Sequence, residues 1–509
     1  MSDTAVAESG TRLQYFLDRA GLRGFPWKTA TILYTISYGW FWNVRNSYWA
    51  DDWFLYAVQN LEFYNFDQLG NAPWSKVFFY THNIFGPTAY RGLAFLTIFL
   101  ISVLVFRILN TVDILTQSQA KFLSLVVLLS TTNTSAVSLM NSPYFFNLLL
   151  FVLAWNLYLV RGSKTLRAIS IGLLFFSMAY HTLVFLIIVP IAHFVILENE
   201  RTKAGWSRAA AKCWGVLLVP ISYVLLRQMF WPPQTPYHQP TALGLKNLIV
   251  TAVYFCGFIV ILYLAGKCLR LSRNGIKVIC LAIFWIFVGL LPYVISQNLS
   301  GAPKLFVELF LFTFGRSDWY SRHLIVQSLG VGLLFCGLLS ILSKIKGRVG
   351  VAWNGLVLTT LVLFNVGFGF EYVLDYAKQQ AVVEKLESNG EAAGVDEYMF
   401  VDQTTLLNAR GRLYRSRDWW GLVWSAYGLS AAERAEILPS CDGGENGRFV
   451  EINGPETHWQ ALKNWVGDRD MGFEVTIDDS PGACKPKLMQ IERVSGVIPI
   501  LFYFTGAKN

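Results

Sequence analysis

Apolar and polar positions follow two different regimes along the chain. From residue 29 to 370, long apolar stretches alternate with short charged clusters, whereas residues 371–495 have the pattern of a soluble protein. A helix needs about 20 mostly apolar residues to cross a bilayer, and somewhat fewer are tolerated. The pattern predicts eleven transmembrane helices, at 29–44, 92–110, 121–139, 144–160, 167–180, 182–198, 213–229, 247–266, 278–295, 323–343 and 349–368.

The predicted fold class is a polytopic α-helical membrane protein with a small C-terminal α/β domain. The domain organisation is a cytoplasmic segment, a transmembrane domain, a soluble domain and an apolar tail, at 1–28, 29–370, 371–495 and 496–509. The first 28 residues are polar and basic, and no small-residue cleavage site follows the first apolar run, so no signal peptide is predicted. The soluble domain is expected to contain helices at 371–390 and 456–465, a short helix opened by a capping box at 430–433, and strands at 449–452, 473–477 and 488–491.

Composition and charge agree with this class and add an orientation. Hydrophobic residues make up 54% of the chain and charged residues 15%, with a mean hydropathy of +0.41. With the N-terminus inside, the inner segments carry 20 basic residues and the outer loops 8. Basic residues favour cytoplasmic loops, so the N-terminus is predicted inside and the C-terminal domain outside, in the periplasm of a bacterial inner membrane. The net charge of +9 follows from this topology, and no nucleic-acid partner is predicted.

The seven cysteines bear on the compartment of the C-terminal domain. Only Cys441 and Cys484 lie in that domain, and a domain outside the cytoplasm with two cysteines is expected to form one disulfide. Two separate free thiols are the alternative.

Three outer loops are long, at 45–91, 230–246 and 296–322, while the other outer connections are minimal. Long loops on one face of a scaffold usually carry function. The first of them contains Asp51 and Asp52 among aromatic residues, just above the first span. Two carboxylates beside apolar rings are costly unless a cation or a proton donor meets them, and such a pair suits a general base and its support. A helix N-cap explains one of the two.

Aromatic residues after the acidic pair, beginning with Trp53 and Tyr56, recur at helical spacing. This spacing predicts an amphipathic helix in the membrane interface, with both residues as candidates for substrate binding. His82, farther along the loop, is a further candidate for contact with a polar ligand, although a single histidine is often an ordinary surface group.

The last long loop gathers cationic and aromatic residues at the outer face. Arginine forks bind phosphate oxygens well, and arginines here run against the inside preference of basic residues. A phosphate site is therefore predicted, and the alternative is that these arginines extend to the interface without a ligand. The candidate phosphate ligands are Arg316, Arg322, His323 and Lys304, with Tyr320 as a substrate-binding residue.

Together these features resemble the GT-C superfamily of integral-membrane glycosyltransferases. The resemblance rests on Asp51-Asp52 in the first outer loop, the helix predicted from Trp53, Ser321-Arg322-His323 before a late span, and the outer C-terminal domain. The family usually has Tyr where His323 stands. The resemblance implies an inverting transfer of a sugar from a polyprenyl-phosphate donor to a protein or glycan acceptor. Among members, bacterial arabinofuranosyl- and glucosyltransferases are most similar, including pilin arabinosyltransferases.

On this interpretation Asp51 is the base and Asp52 its support, although the order could be reversed, and a divalent cation at the pair is possible. No other cofactor is predicted. A lipid-linked sugar flippase or transporter and a polysaccharide polymerase or ligase are the competing functions. A transporter would be expected to carry charges at the bilayer midplane and internal repeats, whereas the charges here lie in loops.

Overall fold

The computed structural model describes most of the helical part of the chain and the centre of the C-terminal domain. The described residues are 24–49, 52–53, 73–111, 115–158, 164–197, 203–234, 242–268, 273–295, 325–342, 347–389, 397–404, 407–409, 414, 416–428, 436–437, 448–455, 457–468 and 470–478.

Helices occupy each of the eleven stretches for which spans are predicted. In chain order they are α1 (Trp27–Tyr38), α2 (Lys76–Leu109), α3 (Gln117–Leu129), α4 (Ser142–Tyr158), α5 (Lys164–Ser177), α6 (Thr182–Leu186), α7 (Ile188–Leu197), α8 (Lys203–Phe230), α9 (Ala242–Cys268), α10 (Arg273–Ile295), α11 (Gln327–Leu342) and α12 (Gly347–Ser388). Short 3-10 helices lie at Gly39–Val44, Pro73–Ser75, Thr131–Val137 and Leu139–Asn141. The C-terminal part adds α13 (Ser416–Tyr427), α14 (His458–Asp468) and four strands.

By length and composition, five helices of the described residues could cross a membrane: Tyr80–Leu109, Gln117–Val137, Cys213–Phe230, Ala242–Ile261 and Gly350–Ser388. Shorter apolar helices run over Thr182–His193, Gly275–Leu291 and Gln327–Gly337. The fold is thus mainly helical with several membrane-spanning candidates and a small sheet, as predicted, and the number of eleven spans stays a prediction.

Burial separates central from peripheral helices. The apolar window of the α3 span is 94% buried inside the protein, whereas that of α9 is 18% buried and that of α8 is 28% buried. Apolar side chains on α8 and α9, such as Leu225, Met229, Ile249 and Val253, are exposed. Apolar side chains are stable in contact with lipid, so their exposure places α8 and α9 at the periphery. The burial of α3 places that helix in the centre.

Helix α2 bends sharply at Gly86, whose φ of 75° and ψ of 171° are not helical. Positive φ is readily adopted only by glycine, and Pro87 then opens the second half of the helix, where its missing N–H costs nothing. The last part of the predicted outer loop 45–91 is therefore helical from Lys76, and after the bend the helix continues from Pro87 to Leu109 through the predicted span 92–110.

The C-terminal domain is built on the end of α12. The predicted amphipathic helix at 371–390 is not a separate element, because α12 continues without a break from the last span to Ser388. The strands β1 (Glu397–Asp402), β2 (Glu436–Ile437), β3 (Arg448–Asn453) and β4 (Glu474–Asp478) form one sheet in the order β2-β1-β3-β4. Strand β1 pairs in parallel with β2 and β3, and β3 pairs antiparallel with β4, so the predicted α/β character is present.

Buried charged groups join α12 to the sheet. The Lys378 ammonium donates to Asp402 at 2.8 Å and also to Asn408, and its charge lies over the Tyr414 ring. One turn earlier, Asp375 accepts from the backbone N–H of Ala409 at 3.0 Å and from the Tyr414 hydroxyl. A buried charge is tolerated only when it is paired, so these bonds hold the sheet in one position on the helix.

Several predictions for the C-terminal domain lie outside the described residues. These are the disulfide of Cys441 and Cys484, the capping box at 430–433, the strand at 488–491 and the tail at 496–509. The predicted strands at 449–452 and 473–477 and the helix at 456–465 correspond to β3, β4 and α14.

Candidate functional site

The C-terminal end of α3 continues into a buried polar segment, residues 130–142, that supports the candidate site. The last carbonyls of a helix have no partner within the helix and need donors from elsewhere. Asn133 donates to the carbonyls of Val127 and Leu128, at 2.9 and 3.0 Å. The segment can therefore leave the helix and fold as two 3-10 turns inside the protein.

Two other helices fix the same end of α3. The Tyr38 hydroxyl donates to the Ser130 carbonyl at 2.9 Å, and the Asn365 amide donates to the Leu129 carbonyl at 2.8 Å. Because α1, α3 and α12 are joined here, the polar segment has a defined position under the first outer loop.

Asp52 is bound to this segment by three hydrogen bonds. Its Oδ1 accepts from the Ser138 hydroxyl at 2.8 Å and the Met140 N–H at 3.0 Å, and its Oδ2 accepts from the Leu139 N–H at 3.0 Å. The side chain is fully buried. Burial raises the pKa of Asp52 to about 6, although these bonds and the charge of Arg91 act in the opposite direction.

Arg91 holds the backbone around Asp52. Its guanidinium is fully buried and donates to the carbonyls of Val137 at 2.6 Å, Val44 at 2.9 Å, Ser47 at 2.8 Å, and Arg45. It therefore ties the first outer loop to the same turn that binds Asp52. Its five donors in a planar fork explain why an arginine can satisfy several carbonyls here.

The side chain of Trp53, the residue after Asp52, lies in the C-terminal domain. The side chain is 5% exposed and packs with the core of that domain, including Val382, Leu386 and Trp419. A Cβ added at Gly421 would lie 2.1 Å from the Trp53 ring, so the ring rests directly on the backbone of α13. The predicted contact of Trp53 with substrate stays a prediction, and would require the ring to leave this core.

His82 lies in the same region, between Tyr48 and Tyr90. Its ring meets theirs edge to face, with centroid distances of 6.5 and 5.7 Å. The Oδ1 of Asn83 lies 3.2 Å from its Nδ1, so the proton belongs on Nδ1 and the Nε2 of the neutral ring is an acceptor. His82 is 5% exposed and thus not an ordinary surface group.

In the segments 82–90 and 141–142, four buried side-chain polar atoms have no hydrogen-bond partner among the described residues. They are the acceptors His82 Nε2 and Asn141 Oδ1 and the hydroxyls of Tyr90 and Ser142. Tyr90 is close enough to Asp52 for an electrostatic interaction, and Asn141 directly follows the turn that binds Asp52. A buried polar atom without a partner costs about 1–3 kcal/mol, so such atoms call for a ligand, a water or a neighbouring chain segment.

No known protein family, curated protein or solved structure matches this chain.

Much of the predicted site lies outside the described residues. This holds for the candidate base Asp51, the aromatic residues Tyr56 and Tyr320, and the predicted phosphate ligands Lys304, Arg316, Arg322 and His323. Of the predicted site residues, the structure describes Asp52, Trp53 and His82, and it brings Asp52 and Trp53 to the junction of the two domains. Within the described part of the chain, no group of three or more Asp, Glu, His or Cys residues could hold a metal ion.

The sequence does not predict the polar segment, and it indicates Arg91, just before the second predicted span, only as a weaker candidate for contact with a polar ligand. Residues 121–139 read as a plain span and 140–144 as a minimal turn, although 130–142 contains nine Ser, Thr or Asn residues before Pro143 is reached. Such a polar run beside an apolar helix is the signal that could have identified it, because its side chains can satisfy a backbone that is not helical.

Proposed function

We propose that this protein is an inverting membrane glycosyltransferase. It moves a sugar, arabinofuranose or a hexose, from a polyprenyl-phosphate donor to a protein or glycan acceptor on the outer side of a bacterial inner membrane. The observation that carries the proposal is the buried Asp52, with a pKa of about 6, together with the buried donors and acceptors that lack partners among the described residues. A ligand with several hydroxyls can satisfy donors and acceptors together, as a sugar does.

In the proposed reaction Asp51 is the general base and Asp52 holds the segment that carries it. The acceptor hydroxyl loses its proton to Asp51 and its oxygen attacks the anomeric carbon. The bond from that carbon to the phosphate oxygen breaks, and polyprenyl phosphate leaves from the opposite face, which inverts the configuration. Arg322 and Arg316, with His323 and Lys304, are proposed to stabilise the charge on the phosphate.

The hydrogen bonds of Asp52 support this division of roles. Three donors already occupy its two oxygens, which suits a positioning residue more than a base that must exchange a proton with substrate. A divalent cation at the acidic pair is not needed for the proposed reaction, since the arginines provide the positive charge.

The test is sugar transfer by the purified full-length protein. Synthetic polyprenyl-phosphate donors with radiolabelled arabinofuranose or hexose are offered to wild type, Asp51→Asn and Asp52→Asn. We expect Asp51→Asn to lose transfer by about a thousandfold or more, in the range of a lost general base, while donor binding remains. Asp52→Asn is expected to lose about tenfold to a hundredfold, because the base is displaced rather than removed.

The matched control is Asp470→Asn, which changes an exposed carboxylate of the C-terminal domain and should transfer at the wild-type rate. Full activity of both acidic-pair variants would reject the roles assigned to them. If the wild type transfers no sugar from any donor, the polymerase or ligase and flippase functions become the better hypotheses; movement of labelled lipid across proteoliposomes then separates these two.

A further inference from the structure

A second polar feature lies at the C-terminal end of α1. It is a cavity of about 230 Å³ lined by Trp42, Asn43, Arg45, Asn46 and Tyr376. Four of these residues belong to the turn that ends the first span, and Tyr376 comes from α12. Among the described residues that line it none is acidic, and the one with a charged side chain is Arg45.

The backbone of this turn explains why its side chains face the cavity. Arg91 draws the carbonyls of Val44, Arg45 and Ser47 inward, toward the protein interior. The Arg45 and Asn46 side chains are exposed on the other side of the turn. The geometry is therefore fixed by a buried residue and does not depend on a ligand.

The cavity presents mainly donors. Asn46 Oδ1 accepts from the Thr88 hydroxyl at 2.7 Å, which leaves the Nδ2 protons of the amide to donate. Among the described residues, the Arg45 guanidinium donates one long bond, 3.4 Å, to the Trp42 carbonyl. Both Arg45 and the buried Arg91 act electrostatically on Tyr376, so two positive charges lie near the cavity. An anion with several oxygens, such as a phosphate group, fits this set of donors.

The surface below the cavity indicates where the phosphate comes from. Trp42 is 54% exposed, and Ile36 and Ile32 are exposed on successive turns of α1 beneath it. On α12, Leu363 and Val366 are exposed, about 15–20 Å below Tyr376 at 1.5 Å per residue. Both walls of the cavity thus continue into exposed apolar surface, on α1 and on α12. Trp42 lies at the cavity end of this surface, and tryptophan prefers the boundary between lipid and water.

We propose that this cavity binds the phosphate group of an anionic membrane lipid of the outer leaflet, with the hydrocarbon chains of the lipid along α1 and α12. Arg45 forms the ion pair, while Asn46 and Tyr376 donate to the remaining oxygens. The site does not depend on sugar transfer, and it is tested without it.

The experiment measures lipid binding to the purified full-length protein by native mass spectrometry. Delipidated wild type is titrated with phosphatidylglycerol and with phosphatidylcholine, and the apparent affinity of the first bound lipid is compared. We expect phosphatidylglycerol to bind more tightly, and Arg45→Gln to weaken its binding about tenfold, the size of one lost charge-assisted hydrogen bond. Tyr376→Phe, which removes one hydroxyl, should weaken it about threefold.

The matched control is Lys246→Gln, which removes an exposed cation of the outer face on α9 and should leave binding within twofold of wild type. Equal affinity in Arg45→Gln and Lys246→Gln would overturn the proposal, as would equal binding of the two lipids by wild type. A separate arm adds millimolar inorganic phosphate. No displacement of phosphatidylglycerol is expected, and full displacement would show a site for free anions instead of a lipid site.

Discussion

At the scale of single residues, Asp52 is a carboxyl whose burial and hydrogen bonds oppose each other. Burial favours the neutral form, whereas two backbone N–H groups and the Ser138 hydroxyl favour the carboxylate. The balance raises the pKa from 3.8 to about 6. The group is therefore mostly ionised at neutral pH, and the folded protein bears the cost of holding that charge.

The first prediction concerns how stability depends on pH. A pKa that is higher in the folded state means that the folded state binds the proton more tightly between pH 4 and 6, so stability falls as pH rises through this window. Above pH 6 the accumulated cost is about 3 kcal/mol, at 1.36 kcal/mol per unit of pKa. Asp52→Asn has no such cost. The melting temperature of the variant minus that of wild type should therefore increase from pH 4 to pH 7.

Thermal unfolding of both proteins in one detergent, at half-unit steps of pH, measures this difference. Asp470→Asn serves as the control. It replaces an exposed carboxylate, so its melting temperature should differ from that of wild type by a constant amount across this pH range. A constant offset between wild type and Asp52→Asn across the window would contradict the raised pKa.

The second prediction concerns Arg91. Replacement by Lys keeps the charge but removes the planar fork, so some of the carbonyls of Val44, Ser47 and Val137 lose their donor in a buried place. We expect Arg91→Lys to lower the free energy of unfolding by about 3 kcal/mol, within the range for breaking a buried charged network. Arg45→Lys, in the same region but exposed, should change it by less than about 0.5 kcal/mol. Similar melting temperatures for the two variants would show that the carbonyls do not need the fork.

At the scale of elements, the sequence predicts regular helices well and the departures from them poorly. Helices such as α9 and α10 follow from uninterrupted apolar runs of the right length, which leave no other structure possible in lipid. The segment 130–142 departs from this because its own Ser, Thr and Asn side chains replace helical hydrogen bonds, and those partners lie far away in sequence, as Tyr38 and Asn365 do. Asp52 could be selected from its aromatic and acidic context, but its binding to Ser138 could not, since 86 residues separate them.

The third prediction tests the bend in α2. Gly86 has a φ of 75° and a ψ of 171°, and a Cβ there would touch nothing within 4 Å, so Gly86→Ala costs only the backbone strain, about 1–3 kcal/mol. Gly92 is in the same helix, also with open space around it, but its φ is not positive. Gly92→Ala should therefore be neutral or stabilising by up to about 1 kcal/mol. A melting temperature below that of wild type for Gly86→Ala, and at or above it for Gly92→Ala, supports the bend. A stabilising Gly86→Ala would mean that the helix runs straight in the membrane.

At the scale of the whole molecule, one dipeptide connects the two parts of the protein. Asp52 binds the turn at residues 138–140 that follows α3, and the next residue, Trp53, lies in the core of the C-terminal domain. The domain itself is fixed to α12 by the buried pair of Lys378 and Asp402. The C-terminal domain is thus connected to the candidate site in two ways, through α12 and through its contact with Trp53. A shift of the domain would therefore move the segment that carries the proposed base.

The last prediction follows from the contact between Trp53 and Gly421. A methyl group at Gly421 would overlap the indole ring, at 2.1 Å, and the ring is too rigid and too enclosed to move aside. Gly421→Ala should then destabilise the protein by about 2 kcal/mol, in the range for an overpacked core, while Gly467→Ala on α14, where a Cβ has open space, should be tolerated.

A double-mutant cycle of Trp53→Leu and Gly421→Ala tests whether the cost of Gly421→Ala comes from overlap with the Trp53 ring. Trp53→Leu alone leaves a cavity and should cost about 3 kcal/mol, yet Gly421→Ala added to it meets no ring and partly fills the space. The two changes together should cost at least about 1 kcal/mol less than the sum of their separate costs. If sugar transfer is established, it should recover with stability in the double variant, because the domain is again seated beside Asp52. Simple additivity in the melting experiment would mean that the ring and α13 are not in contact in the membrane, and that the C-terminal domain holds the candidate site through α12 alone.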